Sequence, residues 1–380
     1  MKRTVKTQRT PKVRRLNLVE WLYAFWKFSR PHTIIGTSLS VLGMYLIAFD
    51  AQIDLSQLPT PTRAGFADSS LVERIIQLST SVRAGFVDSS LIERIIQLST
   101  SVRAGFVDSS LIERIIHWLN PPLQPLFLAW VACLCGNIYI VGLNQLEDVE
   151  IDKINKPHLP IASGEFSRRT GQILIAITGL LALVLAGVAG WYLFGMVAIS
   201  LAIGTAYSLP PIRLKRFPFW AALCIFSVRG AIVNLGLFLH FNWLWQGFSG
   251  IPSSVWTLTL FILVFTFAIA IFKDIPDLEG DRQYHITTFT IALGKEKVFN
   301  LALWVITTCY IGIIIAGILG LPSVNSTFLI STHLLLLALL WWRSRQVNLQ
   351  DKSAIASCYQ FIWKLFFLEY ILFPVACLLG

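Results

Sequence analysis

Two short, aspartate-rich segments are the part of this sequence that could carry out chemistry. The first runs from Asn144 to Asp152 and the second from Lys273 to Asp281, with four acidic residues in each. In a helix, residues spaced i, i+4, i+8 or i, i+3, i+7 share one face. The first spacing holds for Asn144, Asp148 and Asp152, and the second for Asp274, Asp277 and Asp281.

Like charges at these spacings repel each other on a bare helix. Two such faces are explained if a divalent cation lies between them, and Mg2+ prefers oxygen ligands, commonly one or two carboxylates with water and substrate phosphates. Neither segment contains His or Cys, which argues against zinc, and neither has EF-hand spacing. Either segment alone would be interpreted as ordinary solvated loop charges. Because there are two of them, and each follows an apolar run, they favour a site for a metal ion and a diphosphate.

Magnesium held in this way suits ionisation of a diphosphate ester, because the metal and basic side chains neutralise the leaving group. Each basic candidate has an alternative role as a topology charge or a lipid-headgroup contact. Arg229 lies inside an apolar run, where an arginine is a functional candidate by default, although it could pair with a backbone carbonyl. The other substrate-binding candidates are Arg30, His32, Lys156, Arg213, Lys215 and Lys273.

The composition is that of a membrane protein. Of the 380 residues, 55% are hydrophobic and 14% are charged, whereas soluble domains carry roughly 25% charged residues. This excludes a soluble enzyme, a disulfide scaffold and a disordered chain. The sequence predicts an all-α bundle of nine membrane-spanning helices, at 32–49, 125–143, 172–190, 191–208, 218–239, 255–272, 298–320, 327–342 and 356–379.

The net charge of +10 does not indicate nucleic-acid binding, because Lys and Arg fall in the breaks between spans. The breaks at 240–254 and 321–326 contain no Lys or Arg, and this alternation predicts a cytoplasmic N-terminus with both acidic segments on the same side. Residues 1–31 are predicted to be a basic cytoplasmic tail rather than a cleaved signal. The absence of a Ser-rich transit peptide favours a bacterial or cyanobacterial type of membrane.

The membrane domain, 32–380, is interrupted by an outer loop at 50–124 that contains a tandem repeat. The unit is 20 residues long, and its copies begin at Arg63, Arg83 and Arg103. Each copy predicts a short amphipathic helix with a capping box. The loop could be a membrane-surface or partner-binding element, but near-identity of the copies favours a recent duplication in a tolerant position.

At the acidic segments the sequence resembles the UbiA family of intramembrane aromatic prenyltransferases. The family pattern has an NDxxDxxxD-type motif after span two and a DxxDxxxD-type motif after span six. Here Gln145 replaces the Asp that commonly follows the Asn, and this departure is similar to the homogentisate prenyltransferase branch. The segment from Tyr207 through Ser208 to Pro211, and Thr287-Thr288 further on, also fit that branch.

The resemblance implies a nine-helix bundle whose two acidic motifs hold Mg2+ and a prenyl diphosphate. Each of the two motifs would hold one metal, and Tyr207, Ser208 and Lys156 would contact the diphosphate. The implied reaction is transfer of a prenyl group, phytyl by the same resemblance, to homogentisate with loss of CO2, a committed step of tocopherol and prenylquinone biosynthesis. Two alternatives stay open: another acceptor (chlorophyllide, a naphthoate or 4-hydroxybenzoate), or a transporter with carboxylate sites.

Overall fold

The computed structural model describes residues 16–51, 123–246, 250–284 and 287–380. Within these ranges all regular structure is helical, which agrees with the predicted all-α class. A 3-10 turn covers Leu214–Arg216, and a π-helical segment covers Ser227–Ile232. The α-helices are α1 Leu18–Phe28, α2 Pro31–Asp50, α3 Leu123–Glu147, α4 Val149–Asn155, α5 Pro160–Ser163, α6 Arg168–Ala189, α7 Trp191–Ser208, α8 Pro218–Phe226, α9 Val233–Gln246, α10 Ser253–Phe272, α11 Asp274–Gln283, α12 Phe289–Leu293, α13 Lys295–Leu319, α14 Ser326–Ser344 and α15 Lys352–Leu378.

Nine helices in the described part of the chain are long and apolar enough to cross a membrane, as predicted. The fifth span is composite: α8, the π segment and α9 together run from Pro218 to Trp245. The chain is therefore a multi-pass membrane protein. The tandem repeat of the predicted insert lies outside the described residues.

The prediction that residues 1–31 form a basic tail is wrong for residues 18–28. They form α1, which begins at a capping box made by Asn17 and Glu20. Ala24 and Phe28 are fully buried against side chains of α3, α5 and α6. Burial of this apolar stripe is what holds α1 on the bundle, so the packed body begins at α1, and residues 1–15 of the tail lie outside the described part.

Helix α10 is the central span and carries the second acidic motif at its end. It packs against α8, the π segment, α13 and α15, and its buried residues include Phe261, Phe265 and Phe272. A helix that is apolar on all sides is stable only when it is surrounded by protein or lipid. Its position fixes where α11 starts, because Lys273 alone separates the two helices.

Close packing of the π segment on α10 depends on Gly230. A Cβ at Gly230 would lie 2.7 Å from Cβ of Leu263 and 2.9 Å from its backbone nitrogen. Backbone atoms cannot move aside as a flexible side chain can. The fifth span therefore lies against α10 at a distance that only glycine permits.

We expect Gly230→Ala to destabilise the protein by about 1–3 kcal/mol, the usual cost of overpacking. The measurement is thermal unfolding of the purified protein in detergent. Gly195→Ala is the matched control, because the added methyl group on α7 meets nothing within 4 Å. That variant should unfold at the wild-type temperature or slightly above it. Equal unfolding temperatures for all three proteins would contradict the packing argument.

Candidate active site

A cavity of about 1370 Å³ lies in the bundle, and both acidic segments contribute to its lining. This volume exceeds the roughly 300–1,000 Å³ of ordinary ligand pockets. On α3 the lining runs from Cys133 to Asn144, a depth of about 16 Å at 1.5 Å per residue. The cavity is therefore long enough for an extended apolar chain with a charged end at the acidic segments.

The first acidic segment approaches the cavity across a break in the helix. Helix α3 ends at Glu147, and Asp148 leaves helical geometry at φ −107° and ψ 19°. The prediction of one continuous helix is thus wrong at Asp148. The three residues nevertheless keep a common face, since Asn144, Asp148 and Asp152 all line the cavity. The helical hydrogen bonds also continue across the break: the Asp148 N–H donates to the Asn144 carbonyl, and the Asp152 N–H donates to the Asp148 carbonyl.

The second acidic segment continues α10 into the same end of the cavity. Helix α11 begins at Asp274, and its three aspartates, Asp274, Asp277 and Asp281, line the cavity. Asp281 is nearly fully buried. The predicted shared face is therefore confirmed, and both acidic segments meet at one end of the bundle.

Two neighbouring residues, Asn155 and Lys156, join the acidic helices. Gly280 donates its backbone N–H to Oδ1 of Asn155 at 3.1 Å, and Lys156 forms an ion pair with Asp277. A Cβ at Gly280 would collide with the Asn155 amide, so glycine is what lets α4 and α11 come this close. Asn155 was not among the sequence-predicted residues; its position three residues after Asp152, on the next helical turn, is the signal that could have indicated it.

Basic side chains neutralise the first segment. Nζ of Lys215 lies 2.7 Å from Oδ1 of Asp148, and Nη2 of Arg213 lies 3.2 Å from the same oxygen. Nη2 of Arg30 donates to Oδ1 of Asn144 at 3.3 Å, and the Asn144 amide donates to Asp148 at 3.0 Å. All three basic residues line the cavity, so they can also reach an anionic ligand there.

At the second segment, Lys273 bridges the acidic end to Tyr207. Its Nζ donates to the Tyr207 hydroxyl at 3.3 Å and lies 4.0 Å from Oδ1 of Asp274. Both Lys273 and Tyr207 line the cavity. Ser208, in contrast, is fully buried and is absent from the cavity lining. Contact between Ser208 and a diphosphate stays a prediction that this geometry does not support.

Three carboxyl groups are short of compensating positive charge. Burial raises the pKa of Asp152 to about 6, although Arg30 and Lys156 oppose the shift. Burial also raises the pKa of Asp274 to about 6, and burial with the neighbouring charges of Asp277 and Asp274 raises the pKa of Asp281 to about 7. A nearby cation favours the charged form of such groups.

The donor chemistry fits magnesium. The acidic groups supply only oxygen ligands, and Oδ2 of Asp152 is buried without a hydrogen-bond partner in the described structure. In the described ranges, however, no three carboxylate, imidazole or thiol groups are gathered closely enough to hold one ion. The expectation that each segment holds one metal stays a prediction. One or two carboxylates with phosphate and water suffice for Mg2+.

Gln145, which departs from the common motif, faces away from the cavity. Its side chain is buried and donates to the carbonyl oxygens of Phe28, at 2.7 Å, and Val141. It therefore fastens the C-terminal end of α1 to α3, a structural role that leaves the acidic face intact.

Comparison with known proteins decides the class of the chain. Residues 117–365 match the model of the UbiA prenyltransferase family. The chain belongs to this family. It is therefore an enzyme and a prenyltransferase, and the transporter alternative is not supported.

The relatives and solved structures agree with that assignment. The chain is 47% identical over 93% of its length to homogentisate phytyltransferase from Synechocystis sp., covering 96% of that protein. It is 36% identical over 93% of its length to homogentisate phytyltransferase 1 from Arabidopsis thaliana, covering 75% of it. A UbiA homolog from Archaeoglobus fulgidus, bound to GPP and Mg2+, shares the fold with a TM-score of 0.52 at 15% identity, over 93% of this chain and 99% of the other.

We expect Asn155→Ala to weaken divalent-cation binding by about tenfold, because groups that position metal ligands typically contribute 10- to 100-fold to affinity. Binding is measured by titrating the protein with Mn2+ and recording free ion by electron paramagnetic resonance. Lys153→Ala is the matched control on the same short helix, since Lys153 is half exposed and its ion-pair partner among the described residues is Glu150. Equal Mn2+ affinities for the two variants would refute a positioning role for Asn155.

Proposed function

We propose that this protein transfers a phytyl group from phytyl diphosphate to homogentisate, with loss of the acetate carboxyl group as CO2. The observation that carries the proposal is the similarity, over nearly the whole chain, to relatives named homogentisate phytyltransferase. Relatives named for geranylgeranyl and solanesyl transfer match over smaller shares of the chain. The size and depth of the cavity are consistent with a long isoprenoid donor.

In this proposal the diphosphate binds at the acidic end, together with Mg2+. The metal, when bound, supplies positive charge that lowers the cost of releasing diphosphate. Lys156, Arg213, Lys215 and Lys273 all face that end of the cavity. In the structure they pair with Asp277, Asp148 and Asp274. Each basic side chain can therefore exchange a carboxylate partner for a phosphate oxygen without becoming more buried than it already is.

The remaining cavity wall holds the prenyl chain and excludes water. It is lined by side chains such as Ile140, Met196, Val233, Ile269 and Phe289. Apolar surface of this kind binds an isoprenoid tail and protects an allylic cation from hydrolysis.

The overall reaction balances without an added oxidant. The bond between C1 of the phytyl group and the diphosphate oxygen breaks, and C1 bonds to a carbon of the electron-rich ring. The ring gives up one proton at that carbon, and the methylene carbon takes up one proton when CO2 leaves. The described residues point to no particular general base.

We also propose that the N-terminus and the acidic end of the cavity face the cytoplasm, as the distribution of Lys and Arg predicts. The tandem repeat at 50–124 would then lie on the opposite side as a tolerated insertion.

The proposed function is tested by product analysis with purified protein in detergent. Homogentisate is supplied with phytyl, geranylgeranyl and solanesyl diphosphates in turn, with Mg2+ or with EDTA. We expect a decarboxylated phytyl product that forms fastest from phytyl diphosphate and disappears with EDTA. Turnover of chlorophyllide, a naphthoate or 4-hydroxybenzoate, with none of homogentisate, would replace the proposed acceptor.

We expect Asp148→Asn to lower kcat at least about 100-fold, the scale seen when one preorganised electrostatic partner is removed. The change removes the negative charge that Arg213 and Lys215 share, and with it a predicted metal ligand. Glu150→Gln is the control two residues along the chain, because Glu150 is exposed and its ion-pair partner among the described residues is Lys153. Both variants should insert in membranes and elute normally; retained turnover in Asp148→Asn would remove Asp148 from the metal site.

A further inference from the structure

One cation in the cavity is not used by the diphosphate site. Arg229 lies in the π segment of the fifth span and lines the cavity. Within the described structure its guanidinium makes no ion pair and no hydrogen bond; its neighbours are the rings of Trp363, at 5.1 Å from the guanidinium carbon to the centroid, and Phe366, at 5.8 Å. An arginine inside a membrane span is costly to insert, so it is a functional candidate.

The local backbone is arranged around this side chain. Single π-helical turns recur at functional sites, because the extra residue turns a side chain toward a ligand. Gly36 of α2 leaves the space that the guanidinium occupies, since a Cβ there would lie 3.2 Å from Nη1 of Arg229. Trp363 is shared with His32, whose ring centroid lies 5.0 Å from the indole. Three elements therefore form one aromatic pocket around one unpaired positive charge.

The pocket differs from the acidic end in its chemistry. At that end Lys156, Arg213, Lys215 and Lys273 already pair with carboxylates, and a diphosphate would be bound there. Arg229 instead combines a planar guanidinium, whose paired N–H groups match a carboxylate, with flanking aromatic rings that match an aromatic ligand. This combination fits a small aromatic acid.

We propose that Arg229 binds the carboxylate of the aromatic acceptor and so sets the specificity of the enzyme for an acidic ring substrate. The proposal rests on the proposed function, because homogentisate carries an acetate carboxylate. His32 and Trp363 then flank the acceptor ring. A carboxylate on Arg229 also cancels a positive charge that would otherwise repel the allylic cation formed in the same cavity.

The test measures binding without turnover, by calorimetric titration of the purified protein with homogentisate or with its methyl ester, in the absence of prenyl diphosphate. The ester keeps the ring and removes the charge. Arg229→Gln should weaken homogentisate binding by about 10- to 100-fold, the range for a charge-assisted hydrogen-bonded pair. The same variant should change ester binding by less than about twofold, and Arg229→Lys should restore part of the affinity for the acid.

Arg213→Gln is the matched cation control in the same cavity. It should raise the KM for phytyl diphosphate and leave homogentisate binding near wild type, whereas Arg229→Gln should raise the KM for homogentisate and leave the KM for phytyl diphosphate near wild type. Gly36→Ala, which crowds the guanidinium, should resemble Arg229→Gln in a milder form.

Equal weakening of acid and ester by Arg229→Gln, or an effect on phytyl diphosphate alone, would overturn the proposal. Failure of the proposed function would look different: the wild-type protein would not turn over homogentisate. The same pair of titrations is then run with the acceptor that it does use. If that acceptor is an aromatic acid, selective loss of the acid over its ester still supports the role of Arg229; if it carries no acid group, the proposal fails.

Discussion

The active end of this protein depends on holding two negatively charged helices side by side. Asn155 and Lys156 supply that connection, one through the backbone N–H of Gly280 and the other through the carboxylate of Asp277. Without opposite charge between them, carboxylates this close to a low-dielectric interior would repel each other or take up protons. The arrangement is stable because lysine and arginine side chains pair with the acids, and it becomes a binding site because the same side chains line the cavity.

The chain therefore separates two electrostatic tasks within one cavity. At the acidic end, Asp148 and Asp277 pair with lysine and arginine side chains, while Asp152, Asp274 and Asp281 are short of positive charge that a metal could supply. The guanidinium of Arg229 lies instead against the rings of Trp363 and Phe366, with no carboxylate partner among the described residues. Apolar side chains elsewhere in the lining suit the prenyl chain and exclude water that would quench a reactive cation.

Much of this could be predicted from the sequence. Apolar runs about 20 residues long predicted the nine spans, and the spacing of five aspartates and one asparagine predicted the two faces that meet. The break at Asp148 could not be predicted, because the i, i+4 hydrogen bonds continue through it and the residue pattern is that of an unbroken helix. The role of Asn155 and Gly280 depends on the distance between two helices that are 125 residues apart. The packing of α1 was missed since its apolar residues follow a strongly basic segment.

The partners of the charged residues were likewise beyond sequence reasoning. Charge alternation along the chain places Lys and Arg on one face, but it does not say that Lys215 and Arg213 share one oxygen of Asp148. It also does not show that the guanidinium of Arg229 lies against the rings of Trp363 and Phe366. These distinctions come from side-chain packing. They separate a basic residue that only sets membrane topology from one that can bind a ligand.

The central claim is that a divalent cation is held between the two acidic helices. The most direct measurement is the structure of the protein with Mn2+ and a non-hydrolysable prenyl diphosphate analogue, with the metal located by anomalous scattering. The account predicts metal within coordination distance, about 2.0–2.2 Å, of carboxylate oxygens from both the Asn144–Asp152 and the Asp274–Asp281 segments, and in contact with the phosphates. Metal bound by only one segment, or bound elsewhere in the cavity, would contradict it.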